Sequence, residues 1–150
     1  MRTLERRQVM IGAAALAAGT LAGSSTRAAS ADFHAALGEL LAGRHITSGE
    51  LTLLTPDLAP DGNMVEVTIH AASPMTAEDH VRHITLLATR NPAALVARYH
   101  FTPLAGAASV TGRIRLSESQ EVVAVAEYAD GRLVEARRFV EVELGGCGAA

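Results

Sequence analysis

The sequence predicts an all-β fold, an immunoglobulin-like antiparallel β-sandwich of about seven strands with a short N-terminal helix and a flexible C-terminal Gly-Gly-Cys-Gly tail. Three observations lead to this prediction. Apolar and polar residues alternate with a period of two after residue 50, turn signals recur about every ten residues, and only one segment has a helical period. No strand–helix–strand alternation and no glycine-rich phosphate motif occurs, so a nucleotide-binding parallel sheet is not expected.

The predicted helix lies at the start of the domain. Asp32 is a suitable N-terminal cap, and Gly43 is a suitable end. Between them, apolar residues recur at spacings of three and four, namely Phe33, Ala36, Leu37, Leu40 and Leu41. This spacing puts them on one face, which predicts a helix packed against the sandwich.

The seven predicted strands follow the helix. They are residues 51–54, 65–70, 80–89, 95–102, 110–116, 121–128 and 134–144. Residues 56–63 are rich in turn formers and are expected to form a loop, and Asn91-Pro92 is expected to break the chain between two strands. Asp130-Gly131 predicts a two-residue hairpin with positive φ angles before the last strand.

The faces of the last strand can be assigned from its alternation. One face is apolar and is expected in the core, with Val134, Ala136, Val140, Val142 and Leu144. Phe139 falls on the opposite face, among charged residues.

Composition and charge exclude several classes of protein. A chain of 150 residues with 49% apolar residues has the size and composition of one globular domain. A single cysteine cannot form a disulfide within its own chain or build a cysteine zinc cluster. A net charge of -3 argues against a protein that binds nucleic acid through phosphate contacts.

The first 31 residues have the layout of an export signal. Three Arg precede an apolar stretch from 9 to 23, and Ala29-Ser30-Ala31 fits a cleavage site. The apolar stretch is shorter than the roughly 20 residues that span a bilayer, so no membrane anchor is expected. Arg6-Arg7 resembles the twin-arginine type of signal, and an ordinary Sec signal is the alternative. Removal of residues 1–31 takes away four Arg and one Glu, which changes the net charge from -3 to -6.

Residues 32–144 are therefore predicted to form the sandwich, and residues 145–150 a mobile arm that contains Cys147. Glycines cannot extend a packed sheet, and small residues keep the arm thin. At about 3.3 Å per residue, the thiol can lie roughly 10 Å beyond the last strand. No residue nearby in sequence would lower the pKa of the Cys147 thiol, so the thiol is expected to be activated by other proteins. A cysteine without a role, or one that forms an intermolecular disulfide in a binding or assembly module of the cell envelope, is the alternative.

Histidine and arginine provide two further candidate sites. His80 and His83 are three residues apart and the other four histidines are scattered, so no metal-ligand spacing is seen and no metal is predicted. Four arginines on strands could form a patch for an anion, namely Arg113, Arg115, Arg137 and Arg138. Arginines at such positions more often pair with Glu on a solvated face, and that interpretation is preferred.

Several segments together resemble the SoxY family of sulfur carriers. They are the twin-arginine-like leader, the Asn91-Pro92 break followed by Val96-Ala97 and Phe101-Thr102-Pro103, residues 111–117, and the ending Gly145-Gly146-Cys147-Gly148. The ending is the most specific of these. The family usually continues with a further glycine where this chain has Ala149-Ala150, and alanine still keeps the arm thin.

The resemblance implies a periplasmic carrier and not an enzyme. Cys147 would be the covalent attachment site for sulfur compounds, and Gly145, Gly146 and Gly148 would form a swinging arm. The implied partners are SoxZ in a heterodimer and, transiently, the haem-containing SoxXA, the manganese hydrolase SoxB and the sulfur dehydrogenase SoxCD. No cofactor of its own, no nucleic acid and no membrane anchor are implied.

Overall fold

The computed structural model describes residues 24–145, and within that range it confirms the all-β sandwich. A three-stranded sheet has the order β1-β3-β6, and a five-stranded sheet has the order β2-β8-β7-β4-β5. The elements in chain order are α1 (Ser24–Leu41), β1 (Leu51–Leu54), β2 (Leu58–Asp61), β3 (Val65–Ala71), β4 (Val81–Ala88), β5 (Leu95–His100), the 3-10 helix η1 (Pro103–Ala105), β6 (Ala108–Ile114), β7 (Gln120–Tyr128) and β8 (Leu133–Leu144).

The main core lies between the two sheets. Strand β3 alternates buried and less buried residues, as a strand does when one of its faces is covered. Strand β7 is instead buried on both faces. Val122 and Ala124 belong to the cluster between the sheets, whereas Val123 and Val125 belong to a second cluster that includes residues of α1. Each large apolar side chain buried in this way contributes about 1.5–3 kcal/mol to the stability of the fold.

Helix α1 is longer than the sequence predicts. It begins at Ser24 instead of Asp32, so Asp32 lies inside the helix and is not its N-terminal cap. The Asp32 carboxylate instead accepts a hydrogen bond of 2.7 Å from the amide of Ala94. Phe33 is buried against the outer face of the five-stranded sheet, where it shares a cluster with Leu87 and Leu133. The amphipathic stretch from Phe33 onward was visible in the sequence, whereas the small residues before it have no such pattern.

Helix α1 ends close to Gly43, where the sequence predicts that the helix stops. Ala42 and Gly43 have φ angles of 47° and 78°, which turn the chain out of the helix. The Arg44 guanidinium then donates hydrogen bonds to the carbonyl oxygens of Leu40 and Leu41, at 3.1 and 3.2 Å. These bonds satisfy carbonyl groups that have no partner within the helix. Among residues 24–145, no helix has the length and apolar character needed to cross a membrane.

Strand β2 was not predicted, and residues 56–63 are not entirely a loop. Leu58–Asp61 pairs in parallel with the end of β8, where Leu58 lies opposite Glu141 and Asp61 opposite Leu144. The sandwich therefore has eight strands and is not wholly antiparallel. A four-residue strand containing Pro and Asp has too little alternation to be recognised in sequence, and its pairing with β8 determines its conformation.

The hairpin between β7 and β8 exists, but its loop has three residues instead of two. The amide of Tyr128 donates to the carbonyl oxygen of Arg132, and the amide of Gly131 donates to the carbonyl oxygen of Tyr128, both at 3.0 Å. Gly131 has a φ of 87°, whereas Asp130 is not among the residues with positive φ. A three-residue hairpin needs glycine only at its last position, which explains the difference.

The predicted faces of β8 are confirmed except at the end. Val134, Ala136, Val140 and Val142 all contact the core between the sheets. Leu144, which was predicted on the same face, is 69% exposed because it lies at the end of the sandwich. Phe139 is on the outer face and is also exposed.

Candidate functional site

Gly146, Cys147 and Gly148 lie outside the described residues, so the structure describes the place from which the predicted arm departs. We call this place the arm root and define it as residues 61–64, 116–120 and 142–145. Strand β8 leads into it, and the loops after β2 and β6 flank it.

The first anchor of the arm root is a hydrogen bond between main-chain groups. The amide of Gly62 donates to the carbonyl oxygen of Leu144 at 2.7 Å, and the carbonyl oxygen of Gly62 accepts from the amide of Leu116 at 2.8 Å. Gly62 therefore connects the end of β8 to the segment that follows β6. This arrangement fixes Leu144 relative to both sheets.

Ser119 provides a second anchor on the other side of β8. Its hydroxyl accepts a hydrogen bond of 2.9 Å from the amide of Val142 and lies 3.4 Å from the carbonyl oxygen of the same residue, to which it donates. One side chain thus satisfies both main-chain groups of Val142 just beyond the end of the β7–β8 ladder.

A buried polar network supports these anchors. Gln120 is 1% exposed, and its amide group donates to Asn91 Oδ1 at 2.9 Å while its carbonyl oxygen accepts from the amide of Arg90 at 2.7 Å. The Asn91 side chain also accepts from the amide of Ser117 at 2.9 Å and donates to the carbonyl oxygen of Arg115 at 2.8 Å. Because its buried donors and acceptors are paired, this network holds the loop after β4, the loop after β6 and the start of β7 in one geometry. Of these residues, Asn91 is predicted from the sequence to be part of a chain break, and no pattern in the sequence indicates the network.

The arm root is acidic. Glu141 and Glu143 are exposed on β8 and make no ion pair within residues 24–145. Arg138 is the nearest cation along β8, and its guanidinium pairs with Asp57 at 3.1 Å. Arg115, which directly precedes Leu116 and makes no ion pair in the described range, is outnumbered by Asp61, Glu141 and Glu143, so the charge around the arm root is net negative.

The arginine patch, which is not the interpretation preferred from the sequence, is divided between the two sheets. Arg137 on β8 pairs with Glu135 at 2.6 Å and with Glu121 at 3.7 Å. The hydrogen bond that Arg137 donates to Glu135 raises the pKa of Arg137, which agrees with the preferred interpretation of a solvated face paired with Glu. Arg113 is on β6, and neither it nor Arg115 makes an ion pair in the described part of the chain.

Two histidines that are distant in sequence meet across β4 and β5. His83 lies opposite His100, and their ring centroids are 4.5 Å apart in an edge-to-face arrangement. Burial lowers the pKa of His83, and the neighbouring His100 lowers it further, which outweighs the opposite effect of Glu127. Within residues 24–145, no group of three or more His, Cys, Asp or Glu side chains is arranged to hold a metal ion.

A groove beside α1 lies on the outer face of the five-stranded sheet. It has a volume of about 620 Å³ between α1 and strands β4 and β5, and Arg44, His83 and Glu127 are among its lining residues. Glu127 lies opposite Leu133 at the start of β8, eleven residues before Leu144. Eleven strand residues span roughly 36 Å, which exceeds the reach of about 10 Å from Leu144 to Cys147. The end of the groove at Glu127 is therefore out of reach of a residue three positions after Leu144, whereas Ala93 and Ala94, which also line the groove, follow Asn91 of the buried network.

A protein-family model described as sulfur oxidation protein SoxY matches residues 37–147 of this chain. The match includes most of the sandwich and ends on Cys147. No curated protein matches the chain.

Solved structures show the same fold. The sulfur carrier protein SoxY from Chlorobium limicola f thiosulfatophilum is 23% identical with a TM-score of 0.62, and the alignment covers 76% of this chain and 98% of that protein. A superoxide reductase (neelaredoxin) from Ignicoccus hospitalis is also 23% identical with a TM-score of 0.56, over 72% of this chain and 90% of the reductase. A putative superoxide reductase from Thermotoga maritima is 22% identical with a TM-score of 0.54, over 65% and 88% of the two chains. At such identities the likeness establishes the sandwich fold alone.

Proposed function

Because this chain belongs to the SoxY family of sulfur oxidation proteins, we propose that it is a covalent carrier that holds intermediates of thiosulfate oxidation on Cys147. The observation that carries the proposal is the family match over residues 37–147, which includes the single cysteine of the chain. The anchored arm root supports it, because a carrier needs a rigid body from which its thiol can be presented.

The proposed chemistry begins with oxidation of the thiol. The Cys147 sulfur forms a bond to the terminal sulfur of thiosulfate, one proton is released, and two electrons pass to a haem-containing partner enzyme. The product is a cysteine S-thiosulfonate. Water then attacks the sulfonate sulfur in a hydrolase, which releases sulfate and a proton and leaves a persulfide on Cys147.

We propose that this chain contributes the attachment point and that its partners contribute the catalysis. The negative charge of the arm root does not favour a thiolate, so activation of Cys147 is assigned to the partner active site. Small residues on both sides of Cys147 allow the arm to enter a narrow channel. In this proposal the chain works in the periplasm, after removal of residues 1–31, as one subunit of a heterodimer with SoxZ.

The experiment uses the processed chain with its heterodimer subunit, thiosulfate and the haem-containing enzyme of the same organism. Intact mass spectrometry should show one thiosulfate group added to the wild-type chain and none added to Cys147→Ala. A matched control carries Cys147→Ala together with Ser109→Cys, which places a thiol on the exposed outer face of β6. This thiol should stay unmodified because it has no arm to carry it into an active site.

Two results would reject the carrier function. One is a wild-type chain that remains unmodified although the enzyme and the heterodimer subunit are present. The other is full thiosulfate-dependent activity of the Cys147→Ala variant, which is the result expected for a binding module with a cysteine that has no role.

A further inference from the structure

Exposed apolar side chains concentrate around the arm root. Among the described residues, eight large apolar side chains are exposed, and four of them lie here: Leu58 (45%), Met64 (60%), Phe139 (57%) and Leu144 (69%). We call these four residues the apolar collar.

Strand register explains how the collar comes together. Leu58 lies opposite Glu141, and Phe139 is two residues before Glu141 on β8, so Leu58 and Phe139 share the outer face of the sheet. Asp61 lies opposite Leu144, and the amide of Met64 donates to the carbonyl oxygen of Asp61 at 3.3 Å. Leu58 and Phe139 therefore lie on the outer face of the sheet, whereas Leu144 has the register of the core face and lies with Met64 at the end of the sandwich from which the arm departs.

Carboxylates border the collar. Glu141 and Glu143 are on the same face as Phe139, and neither makes an ion pair with another residue from 24 to 145. The surface thus has an apolar centre and a negative border.

The length of the chain between Leu144 and Cys147 limits what can cover this surface. Three residues reach at most about 10 Å, so an enzyme that takes the thiol into its active site must bring its own surface against the arm root. We propose that the apolar collar docks on the mouth of the active-site channel of the enzymes that load and unload Cys147. This inference rests on the proposed carrier function. Because the border of the collar is negatively charged, we expect Arg or Lys residues at the edge of that channel mouth.

The size of the collar favours this occupant over a permanent subunit. Four side chains expose on the order of a few hundred Å², whereas a stable dimer buries about 1,200–2,000 Å². A small contact suits a carrier that must leave one enzyme before it meets the next.

The test measures loading of Cys147 with thiosulfate by the haem-containing enzyme as a function of carrier concentration. The double variant Leu58→Ser/Phe139→Ser should raise KM about tenfold and change kcat less than twofold, because docking and not chemistry is weakened. The matched control is Leu104→Ser. Leu104 is 97% exposed in η1, at the opposite end of the sandwich, and its replacement should leave KM unchanged.

A second measurement tests the charged border. Added salt should raise KM for the wild type, since screening weakens attraction between the carboxylates and a basic channel mouth. The double variant Glu141→Gln/Glu143→Gln should start from a higher KM and show a shallower dependence on salt.

Four outcomes would overturn the inference. The first is an unchanged KM in the Leu58→Ser/Phe139→Ser variant while wild-type Cys147 is loaded, which leaves the carrier function intact. The second is that this variant no longer forms the heterodimer. The third is that the wild type associates with itself and the variant does not. Light scattering measures both. Either would assign the collar to a subunit interface. The fourth is a wild-type chain that is never loaded, which rejects the carrier function as well.

Discussion

The amide nitrogen of Gly62 lies 2.7 Å from the carbonyl oxygen of Leu144, and this hydrogen bond connects the loop after β2 to the end of the last strand. Gly62 also accepts a hydrogen bond from Leu116, so the end of β8 is attached to both sheets of the sandwich. The point from which residues 145–150 continue is therefore a fixed position on the body of the protein.

The second anchor of that point can be tested by Ser119→Ala. This change removes the acceptor of the Val142 amide, which should lower the free energy of unfolding by about 1 kcal/mol. Hydrogen exchange of the Val142 amide should become faster, while the amide of Val134 near the start of β8 should be unaffected. Ser109→Ala is the control, because Ser109 is exposed and forms no side-chain hydrogen bond within residues 24–145. Equal hydrogen-exchange rates of the Val142 amide in Ser119→Ala and Ser109→Ala would contradict the role given to Ser119.

The buried network beside the arm root predicts a larger effect for Gln120→Leu. This change leaves the amide of Arg90 without its acceptor and removes a donor to Asn91, in a site that water does not reach freely. The free energy of unfolding should fall by about 2 kcal/mol in urea titrations. Glu118→Gln, two residues away and exposed, should change it by less than about 0.5 kcal/mol. A Gln120→Leu protein as stable as the wild type would mean that the network does not stabilise the fold.

The docking of α1 can be tested by Phe33→Ala. Phe33 is buried against the outer face of the five-stranded sheet, and its removal should cost about 3 kcal/mol of unfolding free energy. The same change in a chain that begins at Asp32 should cost the same, because the contacts of Phe33 lie after the predicted cleavage site. Leu104→Ala should cost almost nothing. If Phe33→Ala lowered the unfolding free energy as little as Leu104→Ala does, α1 would not be part of the folded domain.

The pH dependence of stability should contain a contribution from Glu127. Burial raises the pKa of the Glu127 carboxyl, but the hydrogen bond and charge of Arg44 outweigh this effect and hold the pKa below its ordinary value of 4.5. A carboxyl group with a lowered pKa stabilises the folded state above its ordinary pKa, and this stabilisation is lost as the pH falls through the lower folded value.

The variant for this test is Glu127→Gln. The difference in unfolding free energy between wild type and variant should shrink as the pH falls below about pH 4, whereas any change between neutral pH and about pH 5 reports protonation of His83, whose pKa Glu127 raises. The control Glu66→Gln replaces an exposed carboxyl on β3 and should show no such narrowing. A difference that stays constant or widens below about pH 4 would contradict the assignment to the Arg44 pair.

The sequence predicted most of the fold because most strands have one face in the core and therefore alternate. Strand β2 was missed since its four residues have no such pattern and take their conformation from β8. The pair His83 and His100 was also missed, because the residues meet only through the register of β4 and β5. The register between β4 and β5 cannot be inferred from the alternation of residues in either strand.

The candidate site was predictable only in part. Cys147 could be chosen from its position among glycines and from the family resemblance, both of which are properties of the sequence. The arm root could not be predicted, because Gly62, Ser119 and Gln120 act through partners that are brought near by the packing of two sheets. In sequence Gly62 and Ser119 look like ordinary turn formers, and Gln120 has no recognisable signal.

Strand β2 also has a consequence for how copies of this protein behave at high concentration. It covers the side of β8 that would otherwise present unpaired amide and carbonyl groups beside the arm, and in the described range it is itself the outermost strand of the sheet. Pro60, in the middle of β2, has no amide hydrogen to offer to a further strand. A further strand added at this edge would lack one ladder hydrogen bond at Pro60, which disfavours edge-to-edge association of the sheet at this border.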